Sequence, residues 1–238
     1  MASVVVSIPV HNESRYLEQA VRASLDSAAK LESDFIIAIA EDGSTDGTYE
    51  IARRIAASDS RVCVFHSESK LGRGEALRNG WSKLRGEIYV FFDADLATDL
   101  GFLTLLVGQI KCGYDVVTGS RYLPGASVHR PILRLFVSRM YNLLVSRMFG
   151  TGISDHQCGF KAFSKRAVDE LLPLTKSKDW FWDTEILALA RKKGFRISEI
   201  PVRWRENRTN KTSIVRLLKD IRVHSFGIVQ LGWQLLRS

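Results

Sequence analysis

The sequence predicts an α/β fold built on a doubly wound, mostly parallel sheet, and three observations predict it. Apolar runs of strand length recur at 4–9, 35–40, 61–66, 88–92 and 115–118, alternating with helical patterns across short loops. The run Ile88-Tyr89-Val90-Phe91-Phe92 is continuously apolar, as in strands buried on both faces of a parallel sheet. Acidic residues follow three of the runs: Glu13, Asp42, and the pair Asp93 and Asp95. Parallel strands put all three loops on one rim, where open α/β sheets bind their ligands.

In chain order, the first strand breaks at Val10-His11-Asn12-Glu13-Ser14, and an amphipathic helix carrying Leu17, Val21 and Leu25 follows. The second strand ends in the polar turn Glu41-Asp42-Gly43-Ser44-Thr45-Asp46-Gly47-Thr48, with Asp46 placed to cap a helix over about 49–57. After the third strand, Leu71-Gly72-Arg73-Gly74 makes a tight turn opening a helix; it could admit a phosphate or a base, but a plain turn explains it as well. The fourth strand runs into Asp93-Ala94-Asp95, and a helix over about 102–110 and a fifth strand complete this half.

Two carboxylates that close repel each other, and a hard cation such as Mg²⁺ or Mn²⁺ with phosphate co-ligands relieves the repulsion. A helix start capped by Asp95 or Asp99 is the structural alternative. The first strand–helix turn, from Pro9 to Ser14, has no glycine, which excludes a dinucleotide-binding dehydrogenase.

Residues 1–119 carry 12 Lys/Arg and 17 Asp/Glu, whereas residues 120–238 carry 22 and 9, for nets of −5 and +13. The basic half calls for an anionic partner: nucleic acid, a phosphorylated substrate or an acidic membrane surface. From 130 to 149 there are four arginines and no acid, with the stripe Arg130, Arg134, Ser138, Asn142, Ser146 beside large apolar residues. A second basic amphipathic pattern begins at Ile214. Such helices lie in membrane interfaces, cover a sheet or join a partner. Cys63, Cys112 and Cys158 are odd in number and widely spaced, favouring a reducing compartment over disulfides or a zinc cluster. With no signal-peptide pattern at the start, a cytoplasmic location is expected. The expected layout is a catalytic domain over 1–212, with a nucleotide-binding half (1–119) and an acceptor half (120–212), followed by a helical segment over 213–238.

The motifs Ile8-Pro9-Val10-His11-Asn12-Glu13, Glu41 to Thr48 and Asp93-Ala94-Asp95 resemble, in order and spacing, the family 2 inverting glycosyltransferases. Gly119-Ser120-Arg121, Asp155-His156-Gln157-Cys158-Gly159-Phe160-Lys161, Trp182-Asp183-Thr184-Glu185 and Glu199-Ile200-Pro201-Val202-Arg203-Trp204, with Lys211 beyond, narrow the resemblance. Together they are similar to the polyprenyl (dolichyl) phosphate sugar synthases, and to the dolichyl-phosphate glucosyltransferase branch above all.

The resemblance implies a GT-A fold and metal-dependent transfer of a hexose, glucose from UDP-glucose first, onto a polyprenyl phosphate at a cytoplasmic membrane face. It implies Asp93 and Asp95 as ligands of Mg²⁺ or Mn²⁺, and Pro9, His11, Glu13, Asp42, Asp93, Ala94 and Asp95 as the nucleotide-sugar site. Arg121 and Lys211, with Arg130 and Arg134 (and Arg139 beside them), would meet the acceptor phosphate. The catalytic set would be Asp95, Asp155, Arg121 and Lys211, with Asp155 facing the metal or the sugar. Trp182, Asp183 and Glu185 could line the sugar pocket, Trp180 and Phe181 fit packing equally well, and Trp204 reads as core. Mannose synthases usually carry Gln where Ala97 stands, so GDP-mannose is the alternative donor. A non-catalytic membrane or nucleic-acid binding module is the alternative of another class; the enzyme reading expects no nucleic acid and leaves room for a homo-oligomer or a membrane partner subunit. An ionised acceptor phosphate needs no strong base, and none of His11, His66, His129, His156 and His224 suggests itself as one.

Overall fold

The computed structural model describes residues 2–207 and 226–235. The first half alternates as expected: β1 (Ala2–Val10), α1 (Leu17–Ala28), β2 (Phe35–Asp42), α2 (Thr48–Ser58), β3 (Val62–Ser67), α3 (Arg73–Trp81), β4 (Gly86–Phe92), α4 (Leu103–Lys111) and β5 (Val116–Ser120). There follow β6 (Ser127–His129), α5 (Ile132–Phe149), β7 (Phe160–Ser164), α6 (Lys165–Leu171), α7 (Trp182–Lys192), β8 (Ile197–Pro201) and β9 (Arg203–Arg205).

The main sheet has the order β3-β2-β1-β4-β7-β5-β8, and β6 pairs with β9 in a small second sheet. The chain winds outward from β1 to β3 and then returns to the other side of β1 with β4, both β1 pairings being parallel. The strand order therefore reverses between β1 and β4, and a crevice opens at their carboxyl ends. Strand β7 runs antiparallel to both β4 and β5. The motif Gly159-Phe160-Lys161 alone predicts no strand there.

The continuous apolar strands divide by a period of two into two cores, as burial on both faces requires. Val4, Val6, Ile8 and Val10, with Ile88, Val90 and Phe92, join the core on the side of α1 and α4. Val5, Tyr89 and Phe91 join the opposite core, with Trp81, Phe163 and Trp182. Five of those aromatic rings contact one another at centroid distances of 5.5–6.4 Å. Rings at these spacings add attraction beyond their buried area.

Helix α5 is built inside out. Ser138, Asn142 and Val145 are its buried residues, while Ile132, Leu133, Phe136, Met140, Leu143, Leu144 and Met148 are exposed. The polar stripe seen in the sequence thus faces the protein body, and the apolar stripe faces outward. Residues 226–235 form a helix that buries Ile228 and Leu231 against Val145, Phe181 and Ala188. A Cβ on Gly227 would fall 2.4 Å from the Phe181 ring, so the helix approaches closely there. Its exposed side carries Phe226, Val229 and Trp233. The rest of the expected 213–238 segment lies outside the described residues. No helix among the described residues is long and apolar enough to cross a membrane.

Candidate active site

The first two rim loops are laced together by polar side chains. Backbone N–H groups of Asn12, Glu13 and Ser14 donate to Ser44 Oγ (2.9 Å), Thr48 Oγ1 (2.9 Å) and Asp46 Oδ2 (3.1 Å). In return Thr45 N–H donates to Asn12 Oδ1 at 2.8 Å. Asn12 has a φ of 57°, a left-handed conformation that Asn tolerates better than most residues. Asp46 Oδ1 also accepts from Thr48 N–H at 3.1 Å, so it serves the start of α2 and the first loop at once.

Between these loops and the end of β4 lies a cleft of about 240 Å³. Pro9, His11, Glu13, Asp42, Asp93 and Ala94 line it, bringing together six of the seven residues expected to hold a nucleotide sugar. Lys70, Arg73, Asp179 and Trp180 line it as well. His11 Nδ1 lies 2.7 Å from the Asp42 carbonyl oxygen. A carbonyl only accepts, so Nδ1 carries the proton and the ring is fixed in orientation. Asp42 Oδ1 and Oδ2 accept from the N–H groups of Leu71 (2.7 Å) and Gly72 (2.9 Å). Its carboxylate thereby holds the 71–72 turn against the cleft. Glu41, one residue earlier, is buried and pairs with His66, which stacks on Tyr49 at 3.8 Å.

Asp93 Oδ1 accepts from Arg73 Nη1 at 2.7 Å. A Cβ on Gly159 would lie 1.9 Å from Asp93 Oδ2, so only glycine leaves room for this carboxylate. Arg73 also pairs with Asp183, whose other oxygen accepts from the buried Lys161 Nζ at 2.8 Å. Asp95 Oδ1 accepts from Ala97 N–H at 3.1 Å, and Asn207 Nδ2 donates to the Asp95 carbonyl at 2.9 Å. The helix-start role falls to Asp99, whose Oδ1 accepts from Gly101 N–H at 2.8 Å. Ala97 is buried and offers only a methyl group.

Among the described residues no three His, Cys, Asp or Glu side chains converge as a metal cage. The two carboxylates Asp93 and Asp95 are donors of the kind a Mg²⁺-like cation takes, since it binds through one or two carboxylates and draws its remaining ligands from phosphate and water.

The cationic half is centred on Arg121. Its Nε and Nη2 donate to Asp155 Oδ2 (2.7 Å) and Oδ1 (2.8 Å), and its backbone N–H donates to Oδ2 (3.0 Å). Asp155 is 0 % exposed. Burial disfavours its charge, but the Arg121 guanidinium and its hydrogen bonds, with Lys161 in support, hold the carboxyl below the usual range. The carboxylate expected to face the metal or sugar is thus turned onto Arg121 and closed to solvent. Glu199 orders the same loop, accepting from Ser154 N–H (2.9 Å) and Asp155 N–H (3.1 Å). Arg134 is paired with Glu206. Arg130 and Arg121 lie 5.4 and 5.6 Å from the Trp204 ring, which is partly buried against the core. Arg130 Nε and Nη1, and Tyr122 Oη, are buried without a hydrogen-bond partner among the described residues. Burial, and after it the neighbouring Arg121, pull the Arg130 pKa down to about 10. Lys211 and His224 lie outside the described residues.

Two tryptophans, two positions apart, exchange their expected roles. Trp182 is fully buried in the aromatic core, while Trp180 is 52 % exposed on the cleft rim. Glu185 is buried and accepts from the N–H groups of Lys176 (2.9 Å) and Ser177 (2.8 Å), so it orders a loop and does not line the pocket. Lys70 and Asp179 escaped the sequence reading. Asp179 belongs to a segment laid over the start of α3, where the Lys178 carbonyl accepts from Gly74 N–H at 2.6 Å. The one available signal was the Gly72-Arg73-Gly74 turn: a Cβ on Gly72 or Gly74 would clash with Lys178 or Trp182.

Comparison with known proteins agrees with this architecture. Glycosyltransferase AglD of Haloferax volcanii is 43 % identical over 98 % of this chain, which spans only 37 % of that relative's length. Dolichyl-phosphate beta-glucosyltransferase ALG5C of Trichomonas vaginalis is 32 % identical over 89 % of this chain and 66 % of its own length. Polyprenol monophosphomannose synthase of Mycolicibacterium smegmatis is 31 % identical over 85 % of this chain and 77 % of its own. In fold, the chain resembles glucosyl-3-phosphoglycerate synthase from Mycobacterium tuberculosis, solved with Mn²⁺, UDP and glucosyl-3-phosphoglycerate. The TM-score is 0.71 at 20 % identity, covering 97 % of this chain and 80 % of that one. Residues 5–172 match the sequence model described as "Glycosyl transferase family 2", and the chain belongs to that family.

Proposed function

We propose that this chain transfers a hexosyl group, glucose from UDP-glucose, onto a polyprenyl phosphate at a membrane surface with inversion at the sugar carbon. The observation that carries the reading is the convergence of Glu13, Asp42 and Asp93 with His11 in one cleft at the β1–β4 reversal. The uridine and ribose lie across His11, Glu13 and Asp42, with the pyrophosphate toward Asp93 and Asp95. A Mg²⁺ or Mn²⁺ ion held by Asp95 and Asp93 would neutralise the charge developing on the departing nucleotide.

The acceptor phosphate is ionised at neutral pH and attacks without a protein base. His156 fits that economy: burial, then Lys161, depress its pKa to about 4. It is spent on Asn142 Oδ1 (3.0 Å) and Thr151 Oγ1 (2.8 Å). The difficulty is bringing two anions together, which fixed cations relieve. Arg130, with donors that lack a partner among the described residues and the neighbouring Tyr122 hydroxyl, is the best placed of the expected arginines to take the acceptor phosphate. Arg121 adds its charge while locked by Asp155. The 155–159 loop connects this cluster to Asp93 across at most about 14 Å of chain.

The outward apolar side of α5, with Phe226, Val229 and Trp233, supports docking on the bilayer that carries the lipid. Ala97 supports glucose over mannose, since it lends no ligand to the metal.

The test is transfer of radiolabel from UDP-glucose and from GDP-mannose into extractable lipid, with polyprenyl phosphate supplied. Label arriving only from GDP-mannose replaces the donor. No transfer from any nucleotide sugar, or full turnover by Asp95→Ala, overturns the mechanism.

A further inference from the structure

Arg73 makes more of Asp93 than a turn residue would. Its guanidinium packs on two aromatic rings, 4.4 Å from the Trp180 centroid and 5.1 Å from that of Phe91. In its plane, Nη1 donates to Asp93 and Nη2 to Asp183. Asp183 already has a second cation in Lys161, which is fully buried. Two carboxylates and two cations thus alternate in a row from the cleft into the core, and Arg73 bridges Asp93 to Asp183. Arg73 Nε is buried and lacks a partner among the described residues. Among the described residues one donor of the row is therefore spare.

A divalent cation arriving at Asp93 alone would sit against the Arg73 charge and compete for the same carboxylate. A diphosphate arriving with the cation changes the count, because its oxygens supply acceptors for Arg73 as Asp93 turns to the metal. We propose that Arg73 is an internal counter-ion of Asp93, holding its carboxylate in the ligand-free chain and exchanging it for the nucleotide's pyrophosphate. Cation and nucleotide therefore bind together and neither binds well alone. The inference rests on the metal and nucleotide-sugar reading of the cleft. Arg73 is a positioning residue here, acting on the reaction through Asp93 and the pyrophosphate.

The test is Mn²⁺ binding followed by electron paramagnetic resonance, with and without UDP, no turnover being needed. In the wild-type chain UDP tightens Mn²⁺ binding by about tenfold or more, and by linkage Mn²⁺ tightens UDP by the same factor. Arg73→Gln binds Mn²⁺ alone about tenfold tighter than wild type and loses most of the coupling to UDP. A merely structural role predicts the opposite sign, weaker Mn²⁺ binding in every state. In an Asp93→Asn background, Arg73→Gln no longer raises Mn²⁺ affinity. Arg73→Met, which leaves Asp183 its Lys161 partner, is the second variant should Arg73→Gln fail to fold. Wild-type coupling in the folded Arg73 variant overturns the role of Arg73 and leaves the cleft assignment standing. Absence of Mn²⁺ binding by the wild type with UDP overturns the cleft assignment, and this inference with it.

Discussion

Asp155 and Arg121 share three hydrogen bonds, and both are buried, Asp155 completely. A buried pair of this kind is costly to break from one side, because the surviving charge stays in the interior without a partner. Asp155→Ala is expected to lose about 3–5 kcal/mol of stability in urea unfolding. Asp155→Asn, which keeps the shape, should weaken acceptor lipid binding through a misplaced Arg121 and leave UDP binding intact. Because the native pKa is depressed, the pair's contribution is complete above the unfolded carboxyl value near 3.9 and drains away as pH falls toward the native value. Equal acid stability of Asp155→Asn and wild type would contradict this.

His156 sets a second pH dependence. Its native pKa of about 4 lies below the ordinary value of 6.5. Between those values the unfolded chain binds a proton that the folded chain refuses, so stability falls as the pH drops from about 6.5 to about 4. The loss is about 3 kcal/mol over that interval. His156→Gln should be less stable at pH 7.5 yet show a flatter profile across the interval, measured by thermal melts in matched buffers. An unchanged slope would move the titration to another histidine.

Gly159 is a test of Asp93 that leaves every acid in place. Its added Cβ would overlap the carboxylate, and β7 holds the glycine against the end of β4 through the Asp93 N–H to Gly159 carbonyl bond at 3.1 Å. Gly159→Ala is expected to lower transfer by about a hundredfold, as ångström-scale misplacement of a reacting group does. Calorimetry should show weakened Mn²⁺–UDP binding, with the Asp155–Arg121 contribution to stability retained.

The outward face of α5 can be altered without touching the core. Phe136 and Leu144 are exposed, so the double variant Phe136→Glu/Leu144→Glu is expected to fold with wild-type stability to within about 0.5 kcal/mol. It should fail to float with acidic liposomes and lose transfer to lipid, while binding Mn²⁺–UDP as the wild type does. Flotation equal to wild type would assign that face to a protein partner.

The sequence by itself determined the βα alternation, the buried status of β4, the acids on one rim and the family, because each is written locally. A strand's period, a turn's glycines and a motif's spacing depend on neighbours in the chain. It also carried the polar and apolar stripes of α5, but not which one faces outward. That was decided by what Ser138 and Asn142 meet in the body of the protein. The same holds for Trp180 and Trp182, two similar letters two positions apart, where the start of α7 turns one into the core and leaves the other on the cleft. Strand β7 was invisible because its antiparallel place between β4 and β5 is a fact of topology. Above all, only the tertiary structure decided which charges are already spent. Asp155 is closed onto Arg121, Arg134 onto Glu206, and Asp93 is held by Arg73 from a helix twenty residues earlier. Charge pairing acts through space, over a few ångströms in a poorly screened interior, and spacing along the chain does not encode it.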